Sequence, residues 1–238
     1  MGNHWSAIGI HSQEELAEVI QTAYETPSRH FQDLDAGQTY LLTDGSIELW
    51  LHFDAQCVVP SFASSTVIQA IATRWIEDES HSPYYDMLCV ELLDSNGYRL
   101  CPLAVTFGNV PQARRLIDMG ESINLNLSVF IERGEYWDSV ESYRKAYPDR
   151  KFAPGFFVPL GPFSALENCR DNSPRAAFFG VVQQIQWKEN PWTGHSYQCL
   201  SLECGSSLYE AVVADENLMN LAVGNLVYVE CWLCTKYL

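Results

Sequence analysis

Residues 176–238 read AAFFGVVQQIQWKENPWTGHSYQCLSLECGSSLYEAVVADENLMNLAVGNLVYVECWLCTKYL, and their reading decides the fold. Val181, Ile185 and Trp187 stand among glutamines, so residues 178–187 suit a half-buried strand. Asn190-Pro191-Trp192-Thr193-Gly194 is turn chemistry: Pro191 presets one φ, and Gly194 accepts a positive one. In the next run Tyr197, Cys199, Ser201 and Glu203 share one face, with Gln198, Leu200 and Leu202 on the other. Gly205-Ser206-Ser207 turns the chain into a third run, where Tyr209, Ala211 and Val213 alternate against Glu210 and Val212. Asp215 is placed to cap a short helix, and Gly224 opens the last run through Trp232. Strand, turn, strand, turn, strand, short helix, strand is the outline of an OB-like small barrel, whose closure removes free edges.

Outward from that stretch, Ser12-Gln13-Glu14-Glu15 is a capping box, and Leu16, Val19, Ile20 and Ala23 follow at helical spacing. The expected helix covers residues 13–25 and Pro27 ends it. Asp44-Gly45 predicts a type I′ hairpin between residues 40–42 and 47–53. Ile47, Leu49 and Leu51 share one face of its second strand, opposite Glu48, Trp50 and His52. Further strands are expected at 58–62, 67–76, 84–93, 98–107 and 123–131, with helices at 111–119 (Arg114 and Arg115 exposed) and 135–147. Residues 154–162, rich in Pro, Gly and Phe, read as a linker. The expected class is α+β and mostly antiparallel: a β-rich domain with a few helices over residues 1–152, then an OB-like β-barrel over 153–238.

The 47–50 strand within Gly45-Ser46-Ile47-Glu48-Leu49-Trp50, the segment from Lys151-Phe152-Ala153 to Phe163, Pro174-Arg175-Ala176, and the NPWTG turn with its Trp232 strand resemble a group of uncharacterised bacterial proteins. The resemblance spans most of the chain. It implies a β-rich fold and carries no activity with it.

Of 238 residues, 47% are hydrophobic and 18% charged, which is a globular composition. No apolar run reaches the roughly 20 residues of a membrane helix. The first residues, Met1-Gly2-Asn3-His4-Trp5, lack the pattern of a signal peptide. The eight cysteines sit mostly in β-patterned runs, as buried thiols of a reducing cytoplasm do. Net charge is −16, unevenly spread: residues 1–98 carry −13 and residues 99–152 carry +1. That field disfavours nucleic acid, which binds through Lys and Arg, and favours a basic protein.

Candidate chemistry is sparse. His52 and Glu48 share a strand face and are the candidate acid–base pair. Cys231 and Cys234 form a CxxC, and with Cys199 and Cys204 a zinc site can be drawn. However, positions three apart on a strand face opposite ways, and no cofactor or metal is expected. Glu77, Asp78 and Glu79 form an acidic loop without EF-hand spacing. Trp192, at the tip of a turn, either packs onto the other half or is offered to a partner, as is Trp50 on its strand. No G-x-S-x-G, P-loop, G-x-G-x-x-G or H-E-x-x-H occurs. The expectation is a non-catalytic protein-binding module with an acidic N-terminal surface, inhibitor-like or immunity-like. The alternative is a hydrolase or small-molecule-binding protein with a carboxylate–His site between the halves.

Overall fold

The structure is a computed structural model that describes residues 3–25, 31–33, 39–53, 56–77, 83–149, 157–160 and 173–237. Helices α1 (Asn3–Ser6) and α2 (Gln13–Glu25) open the chain. A four-stranded antiparallel sheet follows, in the order β1 (Phe31–Asp33), β2 (Thr39–Asp44), β3 (Ile47–His52), β4 (Cys57–Phe62). The α2 bounds are those its periodicity predicts. Ser12 Oγ accepts from the Glu15 amide at 3.1 Å, while the Glu15 carboxylate reaches back to the His11 amide at 2.7 Å, one residue earlier than a standard box. Asp44 pairs with Ile47, so the β2–β3 loop is Gly45-Ser46. Only Gly45 has positive φ (59°), the type II′ pattern and not the expected I′.

The rest of the chain is one larger sheet built from two similar runs. The first is β5 (Val67–Ile76), β6 (Met87–Leu93), β7 (Arg99–Phe107), helix α3 (Val110–Leu116) and the long strand β8 (Ser122–Trp137). After helix α4 (Val140–Ala146) and the short strand β9 (Val158–Pro159), the second run repeats the plan. It has β10 (Arg175–Glu189), β11 (Ser196–Cys204), β12 (Ser207–Val213), one 3₁₀ turn (Glu216–Leu218) and the long strand β13 (Leu226–Tyr237). The long strands are exchanged. β7 runs parallel to β13, and β12 runs parallel to β8. The order β5-β6-β7-β13-β8 closes a first five-stranded barrel, and β10-β11-β12-β8-β13 closes a second.

Both barrels have OB-like connectivity and lie end to end along the shared β8–β13 ribbon. Residue 153, where the sequence reading divides the chain, lies outside the described residues. The second barrel takes β8 from before it.

Local detail repeats as well. Ala72, before the bulge in β5, exchanges backbone hydrogen bonds with Gly120 and Glu121. Val182, before the bulge in β10, does the same with Gly224 and Asn225. Gly120 (φ 87°) and Gly224 (φ 92°) occupy the same left-handed position, which glycine adopts without steric cost. Asn109 caps α3 and Asp215 caps the 3₁₀ turn.

Odd-numbered residues of the ribbon (Ile123, Leu125, Leu127, Val129, Val227, Val229, Leu233) point into the barrels and join one core. Its even face carries Phe130, Trp232 and Cys234 and is covered by α1, β3 and β4. His4 stacks on Trp232 at 4.9 Å, and Phe62 meets Phe130 edge-on at 5.6 Å. That cover explains why all six residues of β3 are buried: its Ile47/Leu49 face packs in the N-terminal core, and its other face lies on the barrel.

Three local expectations are corrected. Residues 135–137 extend β8, because β13 pairs with it as far as Trp137, and the helix begins at Val140. The segment at 83–85 is a 3₁₀ turn before β6. Arg114 is half-buried, paired with Asp86 at 2.7 Å and lying over the Trp75 ring at 5.0 Å. Most of the expected linker at 154–162 lies outside the described residues, but its described part adds β9 to the edge of β10. Among the described residues, no helix is long and apolar enough to cross a membrane.

Candidate functional site

Alternation along β3 sends Glu48, Trp50 and His52 into the seam between the four-stranded sheet and the first barrel. Glu48, 6% exposed, receives Lys236 Nζ from β13 at 2.6 Å on Oε1. Its Oε2 is buried and has no hydrogen-bond partner among the described residues. Next to this pair, Ser128 Oγ donates to the Phe62 carbonyl at 2.8 Å and lies 3.2 Å from Ser61 Oγ. Trp50 lies over the Gly108 backbone so closely that a Cβ there would stand 2.2 Å from the indole nitrogen. Trp50, Asn109, Gln112, Lys236 and Tyr237 line a cleft of about 100 Å³ beside the pair.

His52 is 1% exposed and not on a solvent face. Its Nε2 is 2.8 Å from the Gly108 carbonyl, which only accepts, so Nε2 carries the proton. Nδ1 lies 3.1 Å from the Thr39 hydroxyl, and the ring stacks on Tyr84 at 4.2 Å. Both ring nitrogens are therefore engaged by protein. His52 and Glu48 are four residues apart on one strand, about 13 Å by strand rise, and each has its own partners. The structure places both in the seam but does not bring them together as an acid–base pair.

The thiols split between two sides. Cys204 and Cys231 belong to the barrel core, whereas Cys199 and Cys234 face the N-terminal cluster. The CxxC pair thus points to opposite faces of β13, as its spacing requires. Burial pushes the Cys199 thiol up to about 11 and Cys234 to about 12, so both stay protonated near neutrality. Among the described residues, no group of three or more His, Cys, Asp or Glu is arranged to hold a metal.

Trp192 is half-buried against the N-terminal cluster. Its turn is fastened there by Asn190 Nδ2 donating to the Ile8 carbonyl at 2.8 Å and by Thr193 Oγ1 donating to the Gly9 carbonyl at 2.7 Å. Of the acidic loop, Glu77 is exposed at the end of β5, and Asp78 and Glu79 lie outside the described residues.

A larger acidic feature went unread in the sequence. Glu132, Glu135, Asp215 and Glu230 line an open cleft of about 540 Å³ with Arg133 and Tyr228. Glu132 is engaged by Arg175 through two contacts at 2.8 and 2.9 Å. Asp215 accepts from the Gly134 amide at 2.9 Å. These acids come from β8, β13 and the 3₁₀ cap, and only the β8–β13 pairing assembles them. No run of acidic residues marks the place in the sequence. On α2, Glu14, Glu18 and Glu25 add exposed carboxylates.

No protein-family model, no curated protein and no solved structure matches this chain.

Proposed function

We propose that this protein is a non-catalytic binding module that docks a basic partner protein, in the manner of an inhibitor or immunity protein. The open carboxylate cleft at the β8–β13 end carries this reading, on a chain of net charge −16. Complementary charge speeds encounter and excludes acidic competitors, whether or not it adds much affinity. Two further observations favour binding over catalysis: both His52 nitrogens are engaged, and the Glu48 carboxylate is tied to Lys236.

The test compares the protein with a Glu135→Lys/Glu230→Lys variant in affinity capture at low and high salt. The expected result is one basic protein held at low salt, shed at high salt and bound about tenfold more weakly by the variant. Capture indifferent to both salt and charge reversal overturns the reading.

The Glu48 Oε2, without a hydrogen-bond partner among the described residues and beside the Trp50–Lys236 cleft, favours a second reading, a small-molecule site in the seam. A ligand whose binding is lost in Glu48→Gln, with the fold intact, would carry it.

A further inference from the structure

The two barrels each offer a strand edge at the same place, and among the described residues only one is filled. On the second barrel, β9 pairs with Ala176 and Ala177 of β10. The Leu160 amide donates to the Arg175 carbonyl at 3.1 Å. Phe157, 3% exposed, packs its ring on Phe178 at 4.6 Å and Tyr209 at 4.9 Å. Residues 157–160 thus wedge between the start of β10 and the neighbouring β7.

Exchanging the two repeats carries that slot to the space between the start of β5 and the start of β12. There the β5–β6 register stops at Ala70↔Leu92, so the edge of β5 over residues 67–69 has no ladder partner among the described residues. Backbone direction is settled by alternation. Thr66 and Ala72 direct their backbone groups to β8, through Leu127 N–H to Thr66 O at 2.9 Å and Ala72 N–H to Glu121 O at 3.1 Å. Val67 therefore directs its N–H and C=O, and Gln69 its N–H, into the slot, while the Gln69 carbonyl meets β6 at the last rung of the β5–β6 ladder. The slot is a cleft of about 290 Å³, with Val67 and Gln69 on one wall, Leu208 and Tyr209 on the other and Leu92 at its base. Val67 and Leu208 are apolar yet 55% and 52% exposed. Asp94 is the one charged residue among the described residues lining it. Its carboxylate is held below the usual range, chiefly by the Tyr98 amide.

We propose that this slot takes an extended segment of a partner protein, added as a short strand to the edge of β5 at residues 67–69, with an apolar side chain over Leu208 and Tyr209 and a basic one at Asp94. The chain's own residues 157–160 set the precedent for backbone pairing beside a buried apolar anchor. Asp94, with no cation among the described lining residues and a net charge of −16 on the chain, favours a basic occupant. Strand addition of this kind takes affinity from main-chain hydrogen bonds and selectivity from alternate side chains. The inference rests on the binding-module reading for the partner's charge, and it adds the place and the conformation.

The probe is an end-blocked peptide of alternating lysine and valine, about eight residues long to match a typical strand, with a glutamate–valine peptide as its counterpart. Binding is read by fluorescence anisotropy and by amide exchange at Val67 and Gln69. The basic peptide is expected to bind and to slow both amides. Val67→Pro, which removes an N–H from the open edge and leaves the β8 ladder intact, should weaken it tenfold or more, as should Leu208→Asp. The acidic peptide should bind at least tenfold more weakly. Equal binding to Val67→Pro, no binding to the unaltered protein, or Val67 and Gln69 amides already as slow as that of Ile68 in the free protein each overturn the slot. If Glu135→Lys/Glu230→Lys abolishes partner capture while Val67→Pro leaves it unchanged, the slot falls and the acidic-module reading stands. If both peptides bind equally through the slot, the slot stands and the charge reading falls.

Discussion

The two barrels share a plan, a ribbon and a core, yet they differ in what presses on them from outside. At the end of β7 the first barrel has Gly108, whose amide meets the Thr235 carbonyl on the parallel strand β13. At the end of β12 the second has Ala214, whose amide meets the Ile131 carbonyl on β8 in the same way. Each precedes a capping residue, Asn109 or Asp215. The backbone task is one and the same, so the glycine is not required by the barrel. It is required by Trp50, which the N-terminal sheet lays across the first barrel at that point. A repeated fold diverges first where its copies meet different neighbours.

The sharpest way to break this comparison is to exchange the two residues. Gly108→Ala should destabilise the protein by about 3 kcal/mol, because a rigid indole and packed backbone leave no room for the methyl group. Ala214→Gly should cost only about 0.5–1 kcal/mol, mainly in chain entropy. Denaturant titration of both variants measures the difference. Equal costs would mean that Trp50 yields, and that the seam is a looser contact than its distances imply.

This asymmetry also shows what the sequence could and could not reveal. The bounds of α2 and β5 and the strand–helix order of the last 60 or so residues were legible, because each depends on local periodicity and turn chemistry. The exchange of β8 and β13 was not. Nothing in the alternation of Ile123, Leu125 and Leu127 says that the strand will pair with residues a hundred positions later. The candidate site failed to read for the same reason. Glu48 and His52 alternate with Ile47, Leu49 and Leu51 as solvent-facing residues would. What makes their burial tolerable is Lys236 in one case, and Thr39 and Gly108 in the other, all supplied by tertiary structure.

The barrels can next be told apart by pH. Seven residues after each matching glycine the ribbon points into the core, with Leu127 in the first barrel and Cys231 in the second. Burial raises the Cys231 thiol well above its ordinary 9.0. The unfolded chain ionises there first, so the contribution of this thiol is complete below pH 9 and is lost as pH climbs beyond it. Stability should fall from pH 9 upward, with amides of β10 and β11 opening before those of β5 and β6. Cys231→Ala should lower stability near neutrality but flatten the alkaline slope. Equal alkaline loss in the variant would assign the effect to other groups.

The smallest expected difference lies in the caps. Asn109 holds the Gln112 amide of α3 at 3.3 Å and supports only its own helix. Asp215 holds the Asn217 amide at 2.9 Å with one oxygen, and with the other the Gly134 amide of β8, also at 2.9 Å. The second cap therefore fastens its turn to the shared ribbon, and removing it strips a charge-assisted bond as well as a cap. Asp215→Ala should cost about 2 kcal/mol and Asn109→Ala about 1 kcal/mol. The decisive readout is exchange at the Gly134 amide, which should quicken only in the Asp215 variant. If both variants cost the same and Gly134 stays protected in each, the second barrel's turn is anchored by Leu218 packing in the core, and the two caps are equivalent after all.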